Sequence, residues 1–356
     1  MSTITFIFPH PAAEPVGGYK VVYEYANRFV ADGHKVNIVY SGSLFWSKKS
    51  LYFKLTNCFR YIQMLFKGYS SRKWFDLDKR VKEHLTFSLN YRHVPKSDIY
   101  ICTSPYTAMY VKDYPTDNKY YFIQGYENWG AVTDEILRET YHYPLEKIVI
   151  SKWLQEIIER EENEKCTLIY NGFDFNYFKL TVPIREKNKY IVTMVYSPLE
   201  IKGCKYGFEA LNTVKKIFPQ LKVVMYGSAP KPENLPDWYT YHIKPERDLH
   251  NRIYNEAAIF LAPSIQEGWG LTVGEAMICG QAVVCTDNKG YREMTSNRRN
   301  SLMCNIKDSK SLAKNVIELM NDDELRNRIA EKGMQDIRFF DIEKSFIKLK
   351  KTLRLS

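Results

Sequence analysis

Short apolar runs alternate along the chain with segments in which apolar residues recur at helical spacing. Runs typical of buried strands occupy 3–8, 35–40, 98–103, 119–124, 147–151 and 167–170 in the first half. Between the first two runs, Val22, Ala26 and Phe29 repeat every three to four residues over 19–31. Gly33 follows this helical pattern as a stop signal. The alternation predicts parallel sheets built from β-α-β units.

A second series of the same kind follows a polar break. The segment TVPIREKN at 181–188 loses the apolar periodicity and contains a proline, so we expect an inter-domain linker there. Predicted strands then occupy 190–196, 222–226, 239–243, 259–262 and 282–286, with helices near 206–217, 249–256 and 273–279. From Lys310 onward the pattern predicts helices only, ending in an amphipathic stretch at 342–353.

These patterns predict an α/β fold of two Rossmann-like domains facing a cleft. A length of 356 residues fits two domains, since one domain usually takes roughly 150. We expect the first domain at 1–180 and the second at 189–338. Ligands of such sheets bind beyond the carboxyl ends of the strands, so the segments that follow the strands are the places to search for chemistry.

The composition is that of a globular protein. Apolar residues make up 45% of the chain and charged residues 26%. The opening MSTITFIFPHP lacks the basic segment and the long apolar core of a secretory signal. No apolar run approaches the ~20 residues that span a bilayer. Seven cysteines without C-x-x-C spacing favour reduced thiols over disulfides or a zinc site, and we expect a cytoplasmic protein.

The net charge of +10 is concentrated in one aromatic stretch, 44–75, which contains no acid. Its basic residues are Lys48, Lys49, Lys54, Arg60, Lys67, Arg72 and Lys73, and they alternate with aromatic residues such as Trp46, Tyr61, Phe66, Tyr69 and Trp74. We favour peripheral contact with an anionic membrane surface on the inner face of the cell membrane, where each basic residue contributes about 1 kcal/mol. The alternatives are the acceptor side of the cleft and a helical lid whose aromatic side chains pack inward.

A glycine pair follows the first predicted strand. In PVGGYK, Gly17 and Gly18 precede the first helix. Two glycines let backbone N–H groups approach a phosphate at the positive end of the helix dipole, which makes both residues candidates for binding the phosphates of a substrate. They are equally suited to a tight turn that requires positive φ.

The segment EGWGLTVGE sets two carboxylates, Glu267 and Glu275, eight positions apart. It follows the predicted strand at 259–262 and opens a helix near Thr272. Glu275 would lie one turn into that helix, within reach of ribose hydroxyls, and Glu267 at its mouth could reach a sugar. In the alternative reading, Glu275 only complements the helix dipole.

The residues between the two carboxylates favour phosphate binding. Gly268 and Gly270 permit a close backbone approach, and the N–H groups of Leu271 and Thr272 can hold a diphosphate at the helix start. The alternative is that the glycines only shape a loop.

The segment 267–275 resembles the E-x7-E motif of the retaining nucleotide-sugar glycosyltransferases of family four, which have the GT-B fold. TLIYNGFDFNYF at 167–178 resembles the segment that closes the first domain of that family, and IKGCKYGFEAL at 201–211 resembles its lysine-glycine turn. The resemblance implies an acceptor-binding first domain, a nucleotide-sugar-binding second domain and a C-terminal helix at 339–356 that crosses back to the first. It also implies that Lys202 neutralises the leaving diphosphate.

The chain departs from the family at two positions. The family usually has an arginine five residues before the lysine of the turn, and this chain has Ser197 there. Many relatives have a histidine where this chain has Gln124, and Gln124-Gly125-Tyr126-Glu127 is more similar to the Q-x-Y-E segment of bacterial rhamnosyltransferases. We take Gln124 and Glu127, with Lys202 and Glu267, as candidate catalytic residues. In the alternative, Tyr126 and Glu127 simply begin a helix.

The resemblance implies transfer, with retention, of a sugar from a UDP-, dTDP- or GDP-linked donor to a hydroxyl of a cell-surface glycan or lipid-linked acceptor. Stabilisation of the departing diphosphate would be the main catalytic effect, and no metal or other cofactor is required. The D-x-D sequence Asp76-Leu77-Asp78 does not follow a predicted strand, so we interpret it as a helix start and not as a metal site.

Two other functions stay open. A GT-B-like nucleotide-sugar epimerase would keep the fold and change the reaction. A non-enzymatic protein would use 44–75 to bind nucleic acid, with aromatic side chains stacked on bases. Because the stretch matches no RNP, zinc-finger or helix-turn-helix signature, we expect no nucleic-acid partner.

Overall fold

The chain folds as two compact units, seen in a computed structural model that describes residues 1–42, 59, 61–66, 68–128 and 130–355. The first unit comprises Met1–Tyr170 together with Ser345–Ser356, and the second comprises Asn171–Lys344. The first unit is therefore built from two separate stretches of sequence.

The first unit is built on a parallel sheet to which the described residues contribute seven strands in the order β3-β2-β1-β4-β5-β6-β7. The strands are β1 Thr3–Phe8, β2 Lys35–Ser41, β3 Lys82–Thr86, β4 Ile99–Cys102, β5 Lys119–Ile123, β6 Glu146–Val149 and β7 Cys166–Leu168. Its helices are α1 Gly17–Ala31, α2 Pro105–Val111, α3 Asp134–Tyr141 and α4 Lys152–Glu156, and residues 61–66 are also helical.

The second unit has a parallel sheet with the strand order β10-β9-β8-β11-β12-β13. The strands are β8 Asn188–Val195, β9 Lys222–Gly227, β10 Tyr239–Ile243, β11 Ala257–Ala262, β12 Ala282–Thr286 and β13 Leu302–Cys304. The helices are α5 Cys204–Ile217, α6 Arg247–Glu256, α7 Leu271–Ile278, α8 Ser309–Asn321 and α9 Asp323–Asp336. The last helix of the chain is α10 Ile342–Thr352, most of which belongs to the first unit.

In both parallel sheets the order in which strands are added reverses beside an inner strand, which creates a switch point. In the first unit, consecutive strands run outward from β1 to one edge, and the chain then returns to β4 on the other side of β1. In the second unit, β8 and β11 have the same relation. Parallel strands covered on both faces are apolar throughout, and β11 is buried at all six positions. The crevice beyond β8 and β11 is where ligands of such sheets bind.

The observed architecture confirms the α/β fold with two Rossmann-like parallel sheets. Each predicted strand is present, with ends that shift by one or two residues. The pattern missed two strands, Lys82–Thr86 and Leu302–Cys304. The first is a half-buried edge strand of mostly polar sequence, and the second has only three residues. Both therefore lack the apolar run on which the prediction depends.

The segment 181–188, which we expected to be a linker, lies inside the second unit. The Nζ of Lys187 donates to the carbonyl oxygens of Tyr254 and Asn255 at 3.1 and 2.8 Å, and the backbone N–H of Thr181 donates to Asn255 Oδ1 at 2.7 Å. These bonds tie the segment to the C-terminal end of α6. The division between the units follows Tyr170 instead.

The C-terminal helix returns to the first unit, as expected, since residues from Ser345 onward belong to it. The ring of Phe346 lies 4.9 Å from that of Phe29, and Lys350 pairs with Asp32 at 2.6 Å. Phe346 is buried, so it completes the apolar layer between α1 and α10.

The helix start predicted at Asp76-Leu77-Asp78 is wrong. These residues form an irregular segment that ends in a turn, in which the Val81 N–H donates to the Asp78 carbonyl. Leu77 is buried, and the Asp78 carboxylate pairs with Arg80 at 2.8 Å. Within the described residues, no cluster of three or more His, Cys, Asp and Glu side chains could hold a metal ion. No helix in the described part of the chain has the length and apolarity needed to cross a membrane.

Candidate functional site

A lysine and a glutamate meet at the switch point of the second unit. Lys202 follows β8, Glu267 follows β11, and the Nζ of Lys202 donates to both carboxylate oxygens of Glu267 at 2.9 Å. Ser264 Oγ also donates to Glu267 Oε1 at 2.8 Å. The lysine side chain is about one third exposed and the glutamate 15%, so the pair faces the crevice without being fully desolvated. The structure thus brings together the two candidate catalytic residues of this unit.

A glycine fixes the turn that carries Lys202. Gly203 has φ +61°, and a Cβ at this position would overlap the carbonyl of Pro263. The carbonyl of Ile201 accepts the N–H of Ile265 at 2.8 Å, which joins the lysine turn to the segment after β11. Only glycine combines this close contact with this conformation, so the lysine-glycine pattern has a steric cause.

The backbone of Glu267 is held by residues that the sequence analysis did not select. A Cβ on Gly290 would lie 2.5 Å from the Glu267 carbonyl oxygen, so the loop after β12 packs directly on this residue. Asn288 Nδ2 donates to the Ser264 carbonyl at 3.1 Å, and Asn288 Oδ1 accepts the Tyr291 N–H at 3.0 Å. The short motif Asn-Lys-Gly just after a predicted strand was the signal that could have indicated them.

The start of α7 has the geometry expected for binding an anion. Gly270, the residue before the helix, has φ +106°, and a Cβ there would lie 2.6 Å from the Tyr291 ring. Among the hydrogen bonds of the described residues, none uses the N–H of Leu271 or Thr272. The first N–H groups of a helix have no acceptor within it, so both can receive an external anion. Gly268, by contrast, has no positive φ.

Glu275 lies inside the unit. Its side chain is buried, and its Oε2 accepts a hydrogen bond from the Tyr254 hydroxyl at 2.9 Å. The glutamate is on the second turn of α7, and Tyr254 is on α6. Because Tyr254 belongs to a different helix and its neighbours in the sequence form no recognisable motif, nothing in the sequence indicated it.

Ser197 occupies the position of the family's arginine, and its hydrogen bonds to the described residues are local. Its N–H donates to Cys204 Sγ at 3.4 Å, and its Oγ accepts the Leu199 N–H at 3.3 Å. These bonds shape the turn after β8. The hydroxyl carries no positive charge, so the charge that an arginine would supply here is absent from this position.

In the first unit, Gly18 in the first turn of α1 lies against Gln124, which directly follows β5. The helix α1 begins at Gly17, and neither Gly17 nor Gly18 has positive φ, so the tight turn requiring positive φ is wrong. A Cβ on Gly18 would lie 3.2 Å from the Gln124 amide, so Gly18 instead permits a close approach of that side chain. The Oε1 of Gln124 is buried and has no hydrogen-bond partner among the described residues.

Glu127 is the unusual acid of the first unit. Desolvation by the surrounding protein raises the pKa of its carboxyl to about 8, from a usual value near 4.5, although the residue keeps part of its surface exposed. The alternative in which Tyr126 and Glu127 begin a helix is wrong, since the next helix, α3, begins at Asp134 and is capped by Thr133. A carboxyl with this pKa can hold or release a proton near neutral pH.

The described part of the stretch 44–75 combines anchored and exposed residues. Residues 44–58, 60 and 67 lie outside the described residues, with five of the seven basic side chains. Tyr69 and Trp74 both donate to the Ala12 carbonyl at 2.9 Å, and Arg72 pairs with Glu83 at 2.6 Å. The large apolar side chains that stay exposed are Phe59, Ile62, Leu65 and Phe66.

The comparisons with known proteins point to one family. The family model "Glycosyl transferases group 1" matches residues 181–336. An N,N'-diacetylbacillosaminyl-diphospho-undecaprenol alpha-1,3-N-acetylgalactosaminyltransferase of Campylobacter jejuni is 27% identical over 53% of this chain and 54% of its own length. A putative glycosyltransferase of Bacillus subtilis, EpsD, is 28% identical over 37% of this chain and 36% of its own. The chain thus spans about half, or less, of the length of these two curated relatives.

Solved structures match over the whole chain. Sucrose-phosphate synthase of Thermosynechococcus elongatus superposes with a TM-score of 0.72 at 16% identity, covering 99% of this chain and 98% of that one. HepE of Anabaena, solved with UDP and glucose, gives a TM-score of 0.74 at 15% identity, covering 99% and 100%. These likenesses show that the chain has the GT-B fold, and the family match shows that residues 181–336 form a glycosyl transferases group 1 domain.

Proposed function

We propose that the protein transfers a sugar from a nucleoside-diphosphate sugar to a hydroxyl acceptor with retention of configuration. The observation that carries the proposal is the pair Lys202–Glu267 at the switch point of the second unit, beside a glycine that precedes α7. A cation, a carboxylate and unused backbone N–H groups at one strand edge are what a sugar diphosphate requires.

The hydrogen-bonding capacity of the pair supports this role. An ammonium group has three donors, and Lys202 gives two of them to Glu267, so one remains for a diphosphate oxygen. Each carboxylate oxygen accepts more than one bond, so Glu267 can still accept a hydroxyl of the donor sugar. Lys202 and the N–H groups of Leu271 and Thr272 would then stabilise the charge that develops on the departing diphosphate.

The remaining donor contacts follow from position. We assign the ribose hydroxyls to Glu275, which lies one turn along α7 from the proposed diphosphate site. Because Ser197 supplies no positive charge, Lys202 and the helix start carry the phosphate neutralisation. Transfer in this scheme requires no metal or other cofactor.

On the acceptor side we propose the first unit, with Gln124 and Glu127 in contact with the acceptor. The unpartnered Oε1 of Gln124 can accept a hydroxyl, and Glu127 can take up or release a proton because of its raised pKa. The close packing of Gly18 against Gln124 supports a fixed orientation of that amide.

We propose a lipid-linked acceptor or a cell-surface glycan, reached by the protein from the cytoplasmic face of the membrane. The name of the Campylobacter jejuni relative includes a diphospho-undecaprenol acceptor. The exposed Phe59, Ile62, Leu65 and Phe66, in a stretch with seven basic residues and no acid, support peripheral contact with an anionic membrane.

The donor site is tested by thermal-shift measurements with UDP, GDP, dTDP and their sugars, with and without EDTA. We expect one nucleotide to raise the melting temperature by several degrees, with the same shift in EDTA, because binding at a hundred times Kd stabilises by about 2.7 kcal/mol. Stabilisation by none of them contradicts the proposal, and a shift lost in EDTA contradicts its metal independence.

The membrane contact is tested by sedimentation with vesicles containing anionic phospholipid at low salt. Phe66→Asp should reduce the bound fraction several-fold, because it places a negative charge on the exposed apolar side of the helix. Ile347→Asp is the matched control, since Ile347 is also an exposed apolar residue but lies on α10. Equal binding of the two variants would contradict membrane contact through 59–66.

A further inference from the structure

The carboxylate of Glu275 depends on a tyrosine that has no part in the chemistry proposed above. Glu275 is only 5% exposed, and its Oε2 accepts a hydrogen bond from the Tyr254 hydroxyl at 2.9 Å. A buried carboxylate that loses its donors is strongly destabilised, and hydrogen bonds to a charged acceptor are stronger than neutral ones. Tyr254 therefore contributes to the position of this oxygen.

The protonation states of Tyr254 and Tyr226 determine which hydroxyl donates to which acceptor. The Tyr254 hydroxyl also contacts the Tyr226 hydroxyl. Burial, and next the charge of Glu275, raises the pKa of both tyrosines well above the usual range, so both keep their protons. The Tyr254 hydroxyl lies 3.4 Å from the Thr272 carbonyl oxygen and 2.9 Å from Glu275 Oε2. The shorter bond to a charged acceptor is the stronger one, so Tyr254 gives its single proton to Glu275, and Tyr226 gives its own to Tyr254.

The ring of Tyr254 is held on several sides. The imidazole of His250 stacks on it with the ring centroids 5.1 Å apart and an interplanar angle of 24°. The ring centroids of Phe178 and Phe260 lie 5.4 and 5.9 Å from that of Tyr254. Tyr254 has no exposed surface, so its hydroxyl cannot move away without opening the packed interior.

We propose that Tyr254, supported by Tyr226, is a positioning residue that orients the Glu275 carboxylate toward the ribose hydroxyls of the bound nucleotide. With Oε2 fixed by a rigid phenol, the carboxylate plane is fixed as well, and recognition of the ribose is set before the donor arrives. The inference rests on the proposed function. It adds a residue that does not itself contact the ligand, on a helix distinct from α7.

The test compares Tyr254→Phe with the wild type by calorimetric titration of two ligands. The probes are UDP and 2′,3′-dideoxy-UDP, or GDP and its dideoxy analogue if GDP is the nucleotide that stabilises the wild type. Tyr239→Phe is the matched control, because the Tyr239 hydroxyl is buried in the same unit without a hydrogen-bond partner among the described residues.

We expect Tyr254→Phe to weaken binding of the ribonucleotide five- to thirty-fold and of the dideoxy analogue less than two-fold, because the analogue has no hydroxyl for Glu275 to recognise. Tyr239→Phe should leave both affinities within two-fold. Equal weakening of the two ligands by Tyr254→Phe, or no weakening, would overturn the positioning role and leave the proposed function intact. Absence of nucleotide binding by the wild type would overturn both.

Discussion

The two units have the same strand order around their switch points but different side chains beyond their strands. In the second unit, a charged pair and a helix start are held by glycines with positive φ, such as Gly203 and Gly270. In the first, the corresponding region is aromatic, with the Tyr23 hydroxyl bonded to that of Tyr40 at 2.6 Å. A shared topology therefore fixes where the sites lie and leaves their chemistry to the loops.

The difference also explains how the family match is distributed. The match begins at residue 181, so it falls entirely within the second unit. In the second unit each glycine turn of the site lies close in sequence to one of its charged residues, Gly203 to Lys202 and Gly270 to Glu267, so each turn leaves a compact sequence pattern. The first unit is held by contacts between distant segments, such as the hydrogen bonds that Tyr69 and Trp74 donate to the Ala12 carbonyl. Such contacts leave no compact pattern in the sequence.

The largest expected effect is on sugar transfer and concerns the charged pair of the second unit. Lys202→Ala should lower turnover roughly 10²–10³-fold, because it removes the cation proposed to stabilise the departing diphosphate. Lys205→Ala, an exposed lysine at the start of α5, is the control and should keep wild-type turnover. The measurement is sugar transfer from the donor selected by the thermal-shift screen. Similar turnover in the two variants would remove Lys202 from the mechanism.

A second comparison distinguishes steric overlap from backbone strain by substituting one glycine in each unit. Gly203→Ala should lower the free energy of unfolding by about 2–4 kcal/mol, because it combines positive φ with overlap on the Pro263 carbonyl. Gly33→Ala also has positive φ, but nothing lies within 4 Å of the added carbon, so about 1 kcal/mol is expected. Denaturant unfolding of both variants measures the difference. Equal losses of unfolding free energy in the two variants would mean that the turn after β8 relaxes to accommodate the added methyl group.

The smallest expected effect concerns the acid of the first unit. The folded state binds the Glu127 proton more tightly than the unfolded chain does, so ionisation opposes folding, and stability falls as pH rises from about 4.5 to about 8. Glu127→Gln should remove this loss and unfold with a free energy higher than that of the wild type by on the order of 2 kcal/mol at pH 9.

The control for this prediction has the opposite sign. The hydrogen bond from Lys147 lowers the pKa of the Glu164 carboxyl, so this group stabilises the fold at neutral pH, and the stabilisation is lost as pH falls toward and below the carboxyl pKa. Glu164→Gln should therefore unfold more easily than the wild type at pH 7. A Glu127→Gln variant with the same pH dependence of stability as the wild type would contradict the raised pKa.

The sequence was sufficient to predict most strands of both sheets and to select Lys202 and Glu267, which the structure brings together. Buried parallel strands are apolar along their whole length, and the turns near these two residues contain glycines with positive φ, Gly203 and Gly270, which are visible in the sequence. Asn288 and Tyr254 were not predictable in the same way. Their partners are 24 and 21 positions away along the chain, and only the folded structure brings them together.

The same reasoning explains the errors made along the chain. The segment 181–188 is polar and aperiodic, like a linker, but Asn255 and Lys187 bind it to the second unit. Asp76-Leu77-Asp78 has the residues of a helix start, but Asn27 holds it in an irregular conformation by donating to the Asp76 carbonyl and accepting the Asp78 N–H, both at 2.8 Å. In both cases, tertiary hydrogen bonds outweighed a local preference.

The return of α10 to the first unit affects the order in which the protein can be completed during synthesis. The second unit is one uninterrupted stretch, whereas the first needs Phe346 to fill its layer against Phe29. On the ribosome, the unit made first therefore waits for residues translated after the other unit. Its apolar helix surface stays uncovered during that interval, when nascent chains are most prone to aggregation.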